Sequence, residues 1–160
     1  MNVLVLCTGN SARSILLESI LNHFGRGSVT AYSAGSRPVG RVNPHAVRLL
    51  AEKGHDIRGL SSKSWDVFAE PDAPIMNAVI TVCGNARDEE CPFWPGAPIQ
   101  AHWGVEDPAA VTGTEEEIDA AFAATYDLLK KRADAFLELR GAVVGKSGMA
   151  QAMAEIGQIA

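Results

Sequence analysis

The fold is decided by the stretch Cys7-Thr8-Gly9-Asn10-Ser11-Ala12-Arg13-Ser14, in which five residues separate a cysteine from an arginine and a serine. It follows the apolar run Asn2–Leu6, which predicts a buried strand. From residue 13 to about residue 23, apolar residues recur at helical spacing until Gly25 ends the pattern. The stretch is therefore predicted to form a loop that joins a strand to a helix.

The rest of the chain alternates between strand and helix patterns. Residues 29–33 and 78–82 are predicted strands, and residues 44–53 and 115–139 are predicted helices. Such alternation predicts an α/β fold with a parallel sheet that is covered by helices on both faces. Sheets of this kind bind ligands where the carboxyl ends of the strands meet helix N-termini, and the cysteine loop lies at such a point.

The length of the chain predicts one domain and a short remainder. Its 160 residues fit a single compact domain, which we expect over residues 1–140. Thr114 and Glu117 form a capping box that predicts where the last of these helices begins. Residues 141–160 are poor in large apolar side chains, so we expect a loosely held C-terminal tail.

Charge and hydropathy exclude several classes of function. Fourteen Lys and Arg against nineteen Asp and Glu give a net charge of −5, which is the wrong sign for a protein that neutralises nucleic-acid phosphates. No apolar run approaches the roughly 20 residues of a membrane helix, and the N-terminus lacks the basic stretch of a signal peptide. We expect a soluble, cytoplasmic protein that acts as a monomer and binds neither nucleic acid nor membranes.

The cysteines are few and odd in number. Cys7, Cys83 and Cys91 cannot all pair within the chain, and a secreted disulfide scaffold would carry more of them. The spacing of the last two does not fit a usual zinc site. The histidines are scattered along the chain, at His23, His45, His55 and His102. We therefore expect no metal and no cofactor, and cysteines that are either core residues or the chemistry itself.

The cysteine loop has the composition of an oxyanion site. Its backbone N–H groups can converge on one centre while the following helix adds its positive end, so a tetrahedral oxyanion fits there. The same features are expected to lower the pKa of Cys7, and the planar fork of Arg13 can hold two oxyanion oxygens. We expect the Ser14 hydroxyl to donate to the Cys7 sulfur. The expected oxyanion-binding residues are Thr8, Gly9, Asn10, Ser11, Ala12, Arg13 and Ser14.

A purely structural role for Cys7 is the alternative. A lone cysteine at a strand end is by default a small buried hydrophobe. Here, however, the glycine, asparagine, serines and arginine beside Cys7 have no packing reason to occupy a buried turn between a strand and a helix. The oxyanion-binding interpretation is therefore favoured.

Further motifs follow the loop in collinear order: Tyr32-Ser33-Ala34-Gly35, Val42-Asn43-Pro44, Cys83, Cys91-Pro92, His102-Trp103-Gly104 and Asp107-Pro108-Ala109. With them the sequence resembles the low-molecular-weight protein tyrosine phosphatases, and more closely the arsenate reductases built on the same fold. The resemblance covers roughly residues 1 to 139. It implies a three-layer sandwich around a central parallel four-stranded sheet, with Cys7 as the nucleophile and Asp107 as the general acid.

Two features distinguish a reductase from a phosphatase. The phosphatases carry aromatic residues after the Asp-Pro pair, which form a wall for a phosphotyrosine ring, whereas this chain has Ala109 and Ala110. A phosphatase also needs no further thiols, while reduction of arsenate takes two electrons, which one disulfide supplies. Cys83 and Cys91 enclose seven mostly polar residues, a composition typical of a mobile loop.

The resemblance implies a relay of three cysteines. Cys7 attacks arsenate, Asp107 assists the loss of oxygen, and Cys83 attacks Cys7 as arsenite leaves. Phosphate and sulfate are expected to compete with arsenate for the site. Cys91 then attacks Cys83, and a thioredoxin-like protein reduces the resulting disulfide. The spacing of these two cysteines is one residue longer than in familiar members, so a glutaredoxin-like protein or another thiol system stays open as the reductant. So do two other functions: a phosphotyrosine phosphatase using Cys7, Arg13 and Asp107, and a non-enzymatic oxyanion-binding or redox-sensing protein.

A cation site beside the loop occurs in some relatives of this family. Asn10, Glu18 and Ser33 match its ligands. Where an acidic residue would complete the site, this chain has Lys63, whose ammonium group can take the place of the ion. We therefore expect no requirement for potassium. The alternative is that Lys63 is a solvated surface lysine.

Overall fold

The computed structural model describes residues 1–83, 98–140 and 145–160. Within these ranges the strands and α-helices, in chain order, are β1 (Asn2–Leu6), α1 (Arg13–Phe24), β2 (Thr30–Ala34), α2 (Pro44–Glu52), β3 (Ala78–Thr81), β4 (Ile99–His102), α3 (Glu115–Arg140) and α4 (Lys146–Ile156). Short 3-10 helices are formed by Trp65–Phe68 and Pro108–Ala110. None of the described helices is long and apolar enough to cross a lipid bilayer.

The strands form one parallel sheet in the order β2-β1-β3-β4. Leu6 of β1 lies opposite Ala34 of β2 and Thr81 of β3, and one residue further on the N–H of Val82 donates to Leu6 O at 3.0 Å. The side chains of residues 3–6 are fully buried although they alternate between the two faces, so both faces are covered. The predicted α/β sandwich around a parallel four-stranded sheet is confirmed.

Local interactions explain where the helices begin. Asn43 caps α2, because its Oδ1 accepts a hydrogen bond from the N–H of His45 at 2.8 Å. At the start of α3, Thr114 Oγ1 accepts from the N–H of Glu117 at 3.1 Å. The predicted capping interaction is therefore present, and both helices begin at the residue that the sequence pattern indicates.

Two elements lie where the sequence pattern predicted neither a strand nor a helix. β4 is a short strand of four residues at one side of the sheet. α4 occupies 11 of the residues that we expected to form a loosely held tail. The structure differs from that expectation because Met149, Met153 and Ile156 recur at helical spacing and are buried. Flexible methionine side chains thus supply the apolar surface with which α4 packs against β4 and α3.

Candidate active site

The cysteine loop connects β1 to α1 at the carboxyl edge of the sheet. Cys7 directly follows β1, and its N–H donates to Ala34 O at the end of β2 at 3.2 Å. Gly35 then passes close to the loop: a Cβ atom there would lie 2.4 Å from Thr8 O and 2.7 Å from Cys7 O. No side chain fits in that space, so the approach requires glycine. The loop is therefore supported by neighbouring main chain.

Asn10 fixes the shape of the loop from inside. It is fully buried and has a left-handed φ of 46°, a conformation that asparagine tolerates better than most residues. Its Nδ2 group donates to Ser14 Oγ and Ser33 Oγ, both at 2.9 Å, and its Oδ1 accepts from the N–H of Lys63 at 2.9 Å. The hydrogen-bond partner of Ser14 Oγ in the structure is thus Asn10, whereas we expected the Ser14 hydroxyl to donate to the Cys7 sulfur.

The loop opens into a cavity of about 210 Å³. Its lining residues are Cys7, Gly9, Asn10, Ser11, Ala12, Arg13, Val39, Asp107 and Ala109. Val39 is held in place by its N–H, which donates to Gly9 O at 3.0 Å. Among the described residues no aromatic ring lines the cavity, so it offers polar contacts to a small anion without a ring for stacking.

Arg13 and Asp107 meet at one side of this cavity. Arg13 opens α1; its Nη1 donates to Val105 O at 3.1 Å, and its Nη2 lies 3.6 Å from Asp107 Oδ2. Asp107 also caps the 3-10 helix Pro108–Ala110, because its Oδ1 accepts from the N–H of Ala109 at 3.0 Å. The sequence indicates both side chains but not Val105, whose carbonyl group accepts the hydrogen bond from Arg13. Its position two residues before Asp107 was the available signal.

Cys83 lies beside the cysteine loop. Like Cys7, it is buried, with 3% of its surface exposed against 4% for Cys7. Its Sγ accepts a hydrogen bond from the N–H of Thr8 at 3.2 Å and lies 3.5 Å from Thr8 Oγ1. The structure therefore brings together the first two cysteines of the expected relay. Cys91, the third, lies outside the described residues.

The surroundings of Cys7 act on its pKa in opposite directions. A hydrogen bond with Cys83 and burial raise the pKa of the Cys7 thiol, while the positive charge of Arg13 lowers it. The raising effects are larger, whereas we expected a lowered pKa. The main physical reason is the second thiol, because its hydrogen bond with Cys7 favours the protonated form of Cys7 and burial adds to that effect.

A buried carboxyl group and a lysine lie behind the loop. Ser33 Oγ donates to Glu18 Oε1 at 2.9 Å, and the Lys63 ammonium donates to Ser61 O at 2.7 Å. Burial raises the pKa of Glu18, and the charge of Lys63 opposes that rise. Burial likewise lowers the pKa of Lys63, opposed by the charge of Glu18. Lys63 is partly buried rather than fully solvated, and its charge stabilises the buried carboxylate.

Sequence comparison places this site in a known family. Residues 2–147 match the family described as low molecular weight phosphotyrosine protein phosphatase. The chain is 39% identical over 136 residues to the arsenate reductase of Bacillus subtilis (strain 168), which covers 83% of this chain and 92% of that protein. It is 41% identical over 135 residues to the arsenate reductase of Bacillus licheniformis, with 83% of this chain and 92% of that protein covered.

Solved structures have the same fold. The arsenate reductase from Archaeoglobus fulgidus superposes with a TM-score of 0.61 at 28% identity, over 82% of this chain and 98% of that one. A protein tyrosine phosphatase superposes with a TM-score of 0.70 at 20% identity, over 90% of this chain and 98% of that one, a likeness of fold alone. The matched region includes the whole of the cysteine loop and the Asp107 segment. The chain belongs to the low molecular weight phosphotyrosine protein phosphatase family.

Proposed function

We propose that this protein reduces arsenate to arsenite through a relay of three cysteines. The observation that supports the proposal most directly is the hydrogen bond from Thr8 to the Cys83 sulfur, which puts a second thiol next to the nucleophile of a phosphatase-type loop. Relatives that cover most of the chain are named arsenate reductases. A small cavity with no aromatic ring among its described lining residues suits an inorganic oxyanion.

The first step is substitution at arsenic. The loop N–H groups and the Arg13 fork hold arsenate, and the Cys7 thiolate attacks the arsenic atom. An As–O bond breaks, and Asp107 donates the proton with which that oxygen leaves as water. Arsenic remains As(V) in the covalent intermediate. The oxyanion-binding residues that we assign to this step are Thr8, Gly9, Asn10, Ser11, Ala12, Arg13 and Ser14. Of these, residues 9–13 line the cavity.

The second step transfers two electrons. The Cys83 thiolate attacks the Cys7 sulfur, and the electron pair of the S–As bond passes to arsenic, which leaves as arsenite, As(III). The two thiols are oxidised to a Cys7–Cys83 disulfide. The contact of Thr8 with the Cys83 sulfur suits this step, because a hydrogen-bond donor stabilises the attacking thiolate.

The third step regenerates the nucleophile. The Cys91 thiolate attacks Cys83, Cys7 leaves as a thiolate, and a Cys83–Cys91 disulfide remains. An external dithiol protein of the thioredoxin or glutaredoxin type then reduces this disulfide and supplies the two electrons of the cycle. The relay requires a compartment that keeps thiols reduced, so we assign the protein to the cytoplasm. We also propose that it acts as a monomer.

The test is a disulfide map after a single turnover. The reduced protein is incubated with arsenate without a reductant, the arsenite is quantified, and the disulfides are identified by mass spectrometry. We expect one arsenite per protein and a Cys83–Cys91 bond. Cys91→Ser should release arsenite once and retain Cys7–Cys83, while Cys83→Ser should release none. Absence of both arsenite and a disulfide in the wild type would refute the reductase.

A phosphatase is the second candidate, because Cys7, Arg13 and Asp107 line one cavity and are sufficient for hydrolysis of a phosphate ester. It predicts rapid hydrolysis of an aryl phosphate that survives both Cys83→Ser and Cys91→Ser. Oxyanion binding without arsenate reduction or phosphate-ester hydrolysis would favour a non-enzymatic oxyanion-binding or redox-sensing protein.

A further inference from the structure

Arg132 of α3 forms a buried junction of main-chain carbonyl groups. Only 5% of its surface is exposed. Its Nη1 donates to Trp103 O at 2.9 Å and to Gly104 O at 3.2 Å. Its Nε and Nη2 donate to Ile159 O at 3.1 and 2.8 Å. A guanidinium group is costly to bury unless its donors are satisfied, so this residue joins the end of β4 to the C-terminal segment by a specific network.

The junction is connected to Arg13 through residues 104 and 105. Gly104, held by Arg132, is followed by Val105, whose carbonyl group accepts the hydrogen bond from Arg13. Asp107 lies two residues further along. A displacement of Gly104 would therefore move the partners of Arg13 on that side of the cavity.

Helix α4 packs against the same junction, at residues 102 and 103. The indole Nε1 of Trp103 donates to Met153 O at 2.8 Å. At the end of α4, a Cβ atom on Gly157 would lie 2.3 Å from His102 O and 3.1 Å from Trp103 Cδ1. Most of α4 lies beyond residue 147, at which the family match ends. The junction thus joins the shared fold to a segment outside the matched region.

We propose that Arg132 and α4 are positioning elements for the oxyanion site: they hold residues 103–104 so that Val105 fixes Arg13 against the cavity. The inference rests on the proposed function only for its kinetic readout, because oxyanion affinity can be measured without any reaction. A role in stability alone would leave the affinity of the folded protein unchanged.

Two glycines of the same segment provide a matched pair of variants. Gly157→Ala adds a methyl group that collides with the His102 carbonyl group and must displace α4 from the end of β4. Gly145→Ala adds the same group at the N-cap of α4, where nothing lies within 4 Å. The backbone conformation of both positions accepts alanine, since neither has a positive φ.

The first measurement is the affinity of the full-length protein for inorganic phosphate by calorimetry, well below the unfolding temperature. We expect Gly157→Ala to weaken phosphate binding about five- to tenfold, since small displacements of a positioned group are costly, and Gly145→Ala to change it less than about twofold. Faster amide exchange at Trp103 and Val105 should accompany the loss. Equal phosphate affinity in the two variants, even with a lower Tm for Gly157→Ala, would overturn the proposal.

Arg132 provides an independent test through a conservative variant. Arg132→Met should lower both phosphate affinity and the rate of the first arsenate turnover, and Arg132→Lys should restore part of the loss, because one ammonium group cannot span all three carbonyl groups. Lys131→Met, which removes a contact with Ala160 O at 3.1 Å, is the control. Wild-type phosphate affinity in Arg132→Met would contradict the proposal. If the wild type reduces no arsenate while phosphate affinity follows this order, the proposed function fails and the positioning role stands.

Discussion

The N–H group of Thr8 donates to the Sγ of Cys83 at 3.2 Å, although 75 residues separate the two in sequence. The donor belongs to the cysteine loop, and the acceptor is the second thiol of the site. A single peptide group therefore links this loop to the sulfur that attacks next in the proposed relay. The ionisation of Cys83 and that of Cys7 depend on each other through this arrangement.

Replacing Cys83 should lower the pKa of Cys7. The hydrogen bond with Cys83 is the largest effect that raises this pKa, and Cys83→Ala removes it while the charge of Arg13 remains. The measurement is the pH dependence of alkylation at the Cys7 peptide by mass spectrometry, with and without Cys83→Ala in a Cys91→Ser background. Arg13→Gln should move the titration in the opposite direction. An unchanged titration in Cys83→Ala would mean that the two thiols are not coupled.

Replacing the carboxyl group of Asp107 should slow the first step without removing the binding site. Asp107→Asn retains an oxygen that can accept from the N–H of Ala109 but cannot donate a catalytic proton. We expect the single-turnover rate to fall about 10²- to 10⁴-fold, with phosphate affinity changed far less. Glu106→Gln, which alters the adjacent exposed carboxyl group, should retain the wild-type rate. A comparable loss in Glu106→Gln would remove the special role of Asp107.

Replacing Asn10 should damage both stability and oxyanion affinity. Asn10→Ala removes two buried hydrogen bonds and one partly buried one and leaves alanine at a left-handed φ, so we expect a loss of about 2–4 kcal/mol in the free energy of unfolding, measured in urea. Asn22→Ala is the control, because Asn22 exchanges two hydrogen bonds with the main chain of Ala31. It should lower stability and retain phosphate affinity. If both variants retain phosphate affinity, Asn10 does not shape the anion site.

Removing the charge of Lys63 should make stability more sensitive to pH. Burial raises the pKa of Glu18 above its unfolded value, so this carboxyl group destabilises the fold as pH rises through about 4.5 and costs most above its folded pKa. Lys63→Met removes the opposing charge. The stability difference from the wild type should therefore grow from about pH 4 towards pH 8 in urea unfolding, beyond that of the exposed-lysine variant Lys131→Met.

The same position determines the response to salt. The wild type should have equal activity in potassium and sodium chloride of one ionic strength, because the Lys63 ammonium already stabilises Glu18. A pH-independent stability difference in Lys63→Met, or a wild type that needs potassium, would contradict this role.

The parts of the fold and of the site that the sequence predicts are those encoded locally. The turn at Cys7, the start of α1 at Arg13 and the capping pair Thr114 and Glu117 depend on residues within a few positions of each other. Local patterns are therefore sufficient to predict the loop at the carboxyl end of β1.

Other parts depend on pairing between distant segments. The contact of Thr8 with Cys83 requires β1 and β3 to be neighbours, which the order of strands in the sheet decides. In the sequence Arg132 is only a charged residue on a predicted helix, yet in the structure its Nε, Nη1 and Nη2 groups donate to the carbonyl groups of Trp103, Gly104 and Ile159. β4 itself is short, and its alternation of buried and exposed side chains spans only four residues.

The pairing of β1 with β3 has a consequence for the timing of the reaction. The hydrogen bond from Val82 to Leu6 O joins the two strands one residue before each cysteine. The main-chain separation of the two cysteines is therefore fixed by the central ladder, the part of such a fold that opens least often and exchanges its amide hydrogens most slowly. In the proposed relay, the Cys7 and Cys83 sulfurs therefore meet through side-chain rotation rather than through a rearrangement of the backbone on the scale of milliseconds.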